Sequence, residues 1–82
     1  MNNREIILML YYCSKHVQNE LASFAPSLKN TSDEKTYSEL LYGIAESIDV
    51  IEQAISKKIG VMFPDVEQHY QERLEIARLR NS

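Results

Sequence analysis

The chain is short of the residues that cross-link and bend a small protein: its 82 residues hold one cysteine, two glycines, two prolines and no tryptophan. A lone Cys13 excludes a disulfide within the chain, and no Cys/His cluster has zinc-finger spacing. Two glycines cannot build a phosphate-cradling loop or a nucleophile elbow, and G-x-x-x-x-G-K, G-x-G-x-x-G and G-x-S-x-G are all missing. So little Gly and Pro also argues against the many tight turns of a sandwich or barrel. Positive charge is scarce as well, with nine Lys and Arg against twelve Asp and Glu and a net charge of -3. That balance removes the bulk attraction to phosphate on which non-specific nucleic-acid binding rests. The longest apolar run, Ile6 to Cys13, falls well short of the roughly 20 residues a bilayer span needs. No small-residue cleavage site follows it, so it does not read as a signal peptide. A cytoplasmic protein with a free thiol is expected, with no membrane partner.

What is present favours helices. The 44% hydrophobic and 26% charged content is that of a folding domain. Asn2 with Glu5 has the spacing of a capping box, and Ile6, Leu10, Cys13, Val17, Leu21 and Phe24 then fall on one helical stripe until Pro26 ends it. After a linker from Pro26 to Asn30, Thr31 with Glu34 repeats the box. The stripe Tyr37, Leu41, Ile44, Ile48, Ile51, Ile55 and Ile59 runs on to the stop signals Lys57, Lys58 and Gly60. Beyond a hydrophobic hinge at Val61 to Phe63, Pro64 and Asp65 open a shorter helix carrying Val66, Tyr70, Leu74 and Ala77. Its rival reading is a strand from Arg73 to Leu79, where Leu74, Ile76, Arg78 and Arg80 alternate. The expected fold is one all-α domain over residues 1–82: an antiparallel helical hairpin, 3–25 against 32–59, with a short third helix near 65–80, assembled as a homodimeric helical bundle.

Self-association is expected because a chain of this size buries only about 60% of its unfolded surface, and its core needs a supplement. Ile6 to Cys13 is apolar all round and must be covered on both sides. The second helix, broadened by Leu40, Tyr42, Val50 and Ala54, covers one side. A second copy covers the other, unless the third helix folds back over Met9 and Tyr12. The interface residues expected are Ile6, Ile7, Leu10, Tyr11, Tyr12 and Tyr42, the tyrosines because a large ring with a polar tip suits surfaces buried only on association. Arg73, Arg78 and Arg80, with Tyr70 nearby, form a candidate patch for an anionic partner.

Catalytic chemistry lacks its parts. Cys13 and His16 lie three apart, but only Glu20 and the distant His69 could complete a metal site, and Cys13 sits on the apolar stripe as a small hydrophobe. Glu39, Glu46, Asp49 and Glu52 read as a solvated face opposite the second stripe. No catalytic, cofactor-binding or metal-binding residue is assigned. The expected function is a non-enzymatic protein-protein interaction module, a dimeric regulator or adaptor that binds another protein. A chaperone or secretion-type helper shielding a partner's amphipathic helix is the first alternative. A nucleic-acid-binding regulator, opposed by the acidity, is the second.

Two stretches resemble known families. The run I-S-K-K-I-G-V-M-F-P-D-V-E-Q-H, Ile55 to His69, resembles the helix-to-strand junction of the small DinI-type regulators of the RecA filament, sharing the basic pair, the apolar turn and F-P-D. No strand precedes the helix here, and the family's second strand and last helix have no counterpart. The run N-N-R-E-I-I-L-M-L, Asn2 to Leu10, is similar to a helix of small enterobacterial connector proteins that dimerise and modulate signalling. Both resemblances imply a small regulator of bacterial or phage type.

Overall fold

An uninterrupted series of helix-compatible residues, free of Gly and Pro, forms α1, Asn3–Ser23. The structure is a computed structural model and describes residues 3–81; the expected cap, Asn2, lies outside the described residues. α1 closes at Ser23, and after Phe24 the chain re-enters a helix at once, α2, Ala25–Thr31. Pro26 therefore opens a helix where the sequence reading has it end one, because in a first turn its missing N–H would have had no partner anyway. The expected linker is this short helix.

The expected Thr31 cap is also corrected. Thr31 ends α2 with its hydroxyl donated back to the Ser27 carbonyl at 2.7 Å. Asp33 caps α3, Glu34–Ile51: its carboxylate accepts the Thr36 N–H at 2.7 Å and the Thr36 hydroxyl at 3.1 Å. A carboxylate is the stronger acceptor and suits the positive end of the helix dipole. The Thr36 backbone bond, then the hydroxyl, hold the Asp33 carboxyl below its ordinary pKa.

α3 runs without a break through a π turn, Glu52–Ser56, into α4, Lys57–Met62. A π turn carries one residue more than an α turn, which sets the helical phase back by about 100°. Ile44, Ile48, Ile51, Ile55 and Ile59 stay covered along the rod, and past the start of the π turn Ser56, Gly60 and Phe63 join them, so the covered face widens. Gly60 does not stop the rod. It is buried in α4, in an ordinary helical conformation, and a Cβ there would lie 2.9 Å from Glu67 Oε2. Gly43, in mid-α3, has nothing within 4 Å of a Cβ position, and costs about 1 kcal/mol relative to Ala with no compensating contact in its own chain.

Phe63 breaks the helix, and Pro64 starts α5, Pro64–Arg80. The segment Arg73 to Leu79 is helical, so the strand reading does not hold; likewise F-P-D opens a helix where the DinI-type resemblance implies a strand. Among the described residues all secondary structure is helical. The core is small: Tyr11, Ile59 and Val66 are buried, with Ile7, Leu8, Ile55, Phe63 and Tyr70 packed on them. Tyr11 and Tyr12 both meet the Tyr70 ring edge to face, and an Arg4–Asp65 ion pair joins the starts of α1 and α5. From Gln71 to its end at Arg80 every residue of α5 is exposed. The radius of gyration is 15.5 Å, where about 12 Å is usual for this length. The accessible surface is 6337 Å², against about 5000 Å² for a compact 9.5 kDa monomer.

Two substitutions check this account in urea unfolding at fixed protein concentration. Tyr11→Ala should cost about 3–5 kcal/mol, as truncation of a buried aromatic does. Asp33→Ala should lower the midpoint, while Thr31→Ala leaves it nearly unchanged; the reverse order would restore Thr31 as the cap.

Candidate interaction surface

α1 presents two unlike faces. The inner one meets α3 and the π turn through a polar seam. Ser14 donates its hydroxyl to the Tyr11 carbonyl at 2.7 Å and lies 2.6 Å from Ser56 Oγ. Either hydroxyl can be the donor between the two serines. Ser56 in turn accepts from Gln18 Nε2 at 3.1 Å, and the same amide nitrogen donates to Glu52 Oε2 at 3.0 Å. Lys15 Nζ closes the seam on Glu52 at 2.9 and 3.2 Å, while lying 5.5 Å from the centre of the Tyr11 ring and 5.7 Å from that of Tyr70. Among the described residues no buried side-chain N or O lacks a partner. Glu52, expected on the solvated face, is thus turned inward, one turn beyond the covered Ile48 and held by Lys15 and Gln18 of α1.

The seam's ionisable groups respond to it. Burial raises the Glu52 carboxyl, but the hydrogen bonds from Lys15 and Gln18 outweigh it and leave the pKa below its ordinary value. Burial likewise pulls Lys15 down, and the bond to Glu52 with the surrounding negative groups carries it above its ordinary value. Burial raises the Tyr11 phenol, only partly offset by the Lys15 charge.

The outer face of α1 carries the aliphatic stripe. Ile6 is 51% exposed, Leu10 46%, Val17 38% and Phe24, just past the helix, 58%; Cys13 is exposed between them and Leu21 is half-buried. The stripe therefore faces away from the core, and the intrachain contact of α1 is made by Ile7, Leu8 and Tyr11 together with Ser14, Lys15 and Gln18. Of the six expected interface residues, Ile6 and Leu10 lie on this outer stripe. Tyr11 is buried and Ile7 is half-buried beside it, so the expectation that these two form an exposed surface is corrected: α5 folds back and covers them with Tyr70 and Val66. Tyr12 is half-buried, its hydroxyl hydrogen-bonded to His69 Nδ1 at 2.8 Å. Met9, which the same fold-back was to cover, stays exposed. Tyr42 is exposed on α3, near Glu39, Glu46 and Asp49 along the helix. Val17 and Phe24 were not assigned to the interface, although the stripe's own periodicity marks them.

Arg73, Arg78 and Arg80 lie on the free half of α5. Arg78 pairs with Glu75 at 2.5 Å. Arg73 and Arg80 flank a shallow recess of about 180 Å³ completed by Ile76 and Ala77. His16 approaches Glu20 at 3.8 Å, and among the described residues no group of three or more His, Cys, Asp and Glu could hold a metal ion. No described helix is long and apolar enough to cross a membrane. Comparison with protein families, with curated proteins and with solved structures finds no match for this chain.

The seam makes stability depend on pH at both ends. Because the folded pKa of Glu52 is depressed, its contribution is present above the ordinary glutamate value and is lost as pH falls through the folded value. Because that of Lys15 is raised, its contribution is present below the ordinary lysine value and is lost as pH rises through the folded value, where Tyr11 ionisation adds to the loss. Glu52→Gln should flatten the acid limb of the unfolding midpoint and Lys15→Met part of the alkaline limb. Ser14→Ala, which removes the bond to Ser56 while Gln18 still holds that hydroxyl, should cost about 0.5–1.5 kcal/mol at neutral pH.

Proposed function

We propose that the chain is a non-enzymatic protein-protein interaction module, a regulator or adaptor built on an antiparallel helical hairpin, and that it works as a homodimer joined through the outer stripe of α1. The exposure of that stripe carries the reading. Ile6, Leu10, Cys13 and Val17 recur at steps of four, three and four, the spacing of a coiled-coil seam. From Ile6 to Phe24 the stripe is about 27 Å long at the helical rise. Fully burying one Leu, Ile or Phe contributes about 1.5–3 kcal/mol, so covering four half-exposed ones contributes several kcal/mol, comparable with the whole stability of a small domain.

Area accounting supports a second copy as the cover. The surface in excess of a compact monomer is roughly 1300 Å² per chain, so two chains pairing to remove it would bury roughly 2600 Å². That total falls in the range of obligate homodimers. A second reading, a helper that shields a partner's amphipathic helix, is favoured by one observation: Tyr37, Leu41, Ile44 and Ile48 on α3 are only half covered within the chain. An extended apolar strip of that kind fits a helix-in-groove partner.

Sedimentation velocity across micromolar concentrations tests the dimer. The unmodified protein should sediment as a dimer that dissociates on dilution. Leu10→Glu or Val17→Glu should raise the dissociation constant at least a hundredfold while helical circular dichroism persists, and Asn19→Glu, off the stripe on the same helix, should leave it unchanged. A monomer at high micromolar concentration, or indifference to Leu10→Glu, overturns the reading.

A further inference from the structure

We infer that the free half of α5 is an arm that docks across Gly43 on the α3 helix of a second copy; this rests on the self-association proposed above and names a second contact within it. The arm's packed face does not end where its packing does. Val66 is buried against the core, and Arg73 and Arg80 follow it at seven-residue steps on the same side of the helix, with Ile76 and Ala77 between them. Beyond Tyr70 every described residue of this face is exposed. A helical stretch of ten or eleven residues is marginal in water without tertiary cover, and this one has none of its own.

The exposed side of α3 carries the matching surface. Glu39 and Glu46 also stand seven residues apart, about 10.5 Å along the axis, with Tyr42 and Gly43 between them. Arg73, Arg80, Glu39 and Glu46 make no ion pair among the described residues, so both rows stand unmatched in the single chain. Spacing, opposite charge and apolar filling therefore agree between two surfaces that do not touch in one molecule. Gly43 gives an independent sign. Its backbone is ordinary helix and nothing outside its own helical turn comes within 4 Å of a Cβ position, so neither conformation nor internal packing calls for glycine. A glycine facing open space in mid-helix lets another backbone approach closely, and Ala77 on the arm is small enough to use the gap. Two-fold symmetry would make the contact twice, each arm lying on the partner's α3.

The occupant is a second copy because both halves of the contact are encoded in this chain with opposite charge at identical spacing. Two variants read this in trans: Glu39→Arg with Glu46→Arg, and Arg73→Glu with Arg80→Glu. All four positions are exposed, so each variant should keep the helical signal of the unmodified protein. Each alone should dimerise at least tenfold more weakly, since like charges then face one another in both contacts. An equimolar mixture should regain dimers of unmodified affinity, because in the mixed pair both contacts again join Arg to Glu. Gly43→Leu should weaken dimerisation similarly. If the unmodified protein dimerises through Leu10 but both charge variants match it, or if mixing restores nothing, the arm contact is wrong while the α1 interface stands. A monomeric unmodified protein overturns both.

Discussion

Two serine hydroxyls 2.6 Å apart set how α1 lies on the rest of the molecule. Ser14 and Ser56 are small enough to let the helices come close, and the bonds running on through Gln18, Glu52 and Lys15 are directional, so they fix rotation as well as distance. With that rotation set, Ile7, Tyr11, Ser14 and Gln18 look inward and Ile6, Leu10, Cys13 and Val17 look out. A seam of this kind contributes little net free energy per bond; its effect is to select one arrangement out of several that aliphatic packing alone would allow. The same choice leaves the aliphatic surface to be covered from outside.

Much of the architecture is legible in the residues. Long stripes at helical spacing and two prolines mark where helices run and where the chain turns, and the all-α class follows from them together with the shortage of turn residues. The boundaries of the long elements fall within a few residues of expectation. The orientation of α1 is not legible, because a stripe of Ile, Leu and Val reads as core whichever molecule supplies the core, and Ser14, Lys15 and Gln18 look individually like solvent-facing residues. Only their joint satisfaction with Ser56 and Glu52, more than thirty residues away, turns them inward. Spacing rules place the cap of α3 at Thr31, whereas the geometry gives it to Asp33, since α2 consumes Thr31. Of the expected interface, Ile6 and Leu10 stay on the surface, whereas Tyr11 disappears beneath an α5 whose return path no local pattern encodes.

α5 shows the other side of a small chain's constraint. Its first two turns supply Val66 and Tyr70 to the core, and the remainder extends past the last residue available to cover it. Elongation, excess surface and a free helical half are therefore one fact seen three ways: eighty-two residues arranged as rods do not enclose one another.

The π turn carries a consequence for how such a chain could change over generations. One surplus residue between Glu52 and Ser56 is what separates this rod from a regular helix. Losing it by a single-codon deletion would regularise the hydrogen bonding, yet would swing α4 and everything after it through about a quarter turn relative to α1. Ile59 and Ser56 would then leave their partners together. Sequence drift by substitution can proceed elsewhere in α3, but length in this stretch is frozen by the geometry on both sides of it.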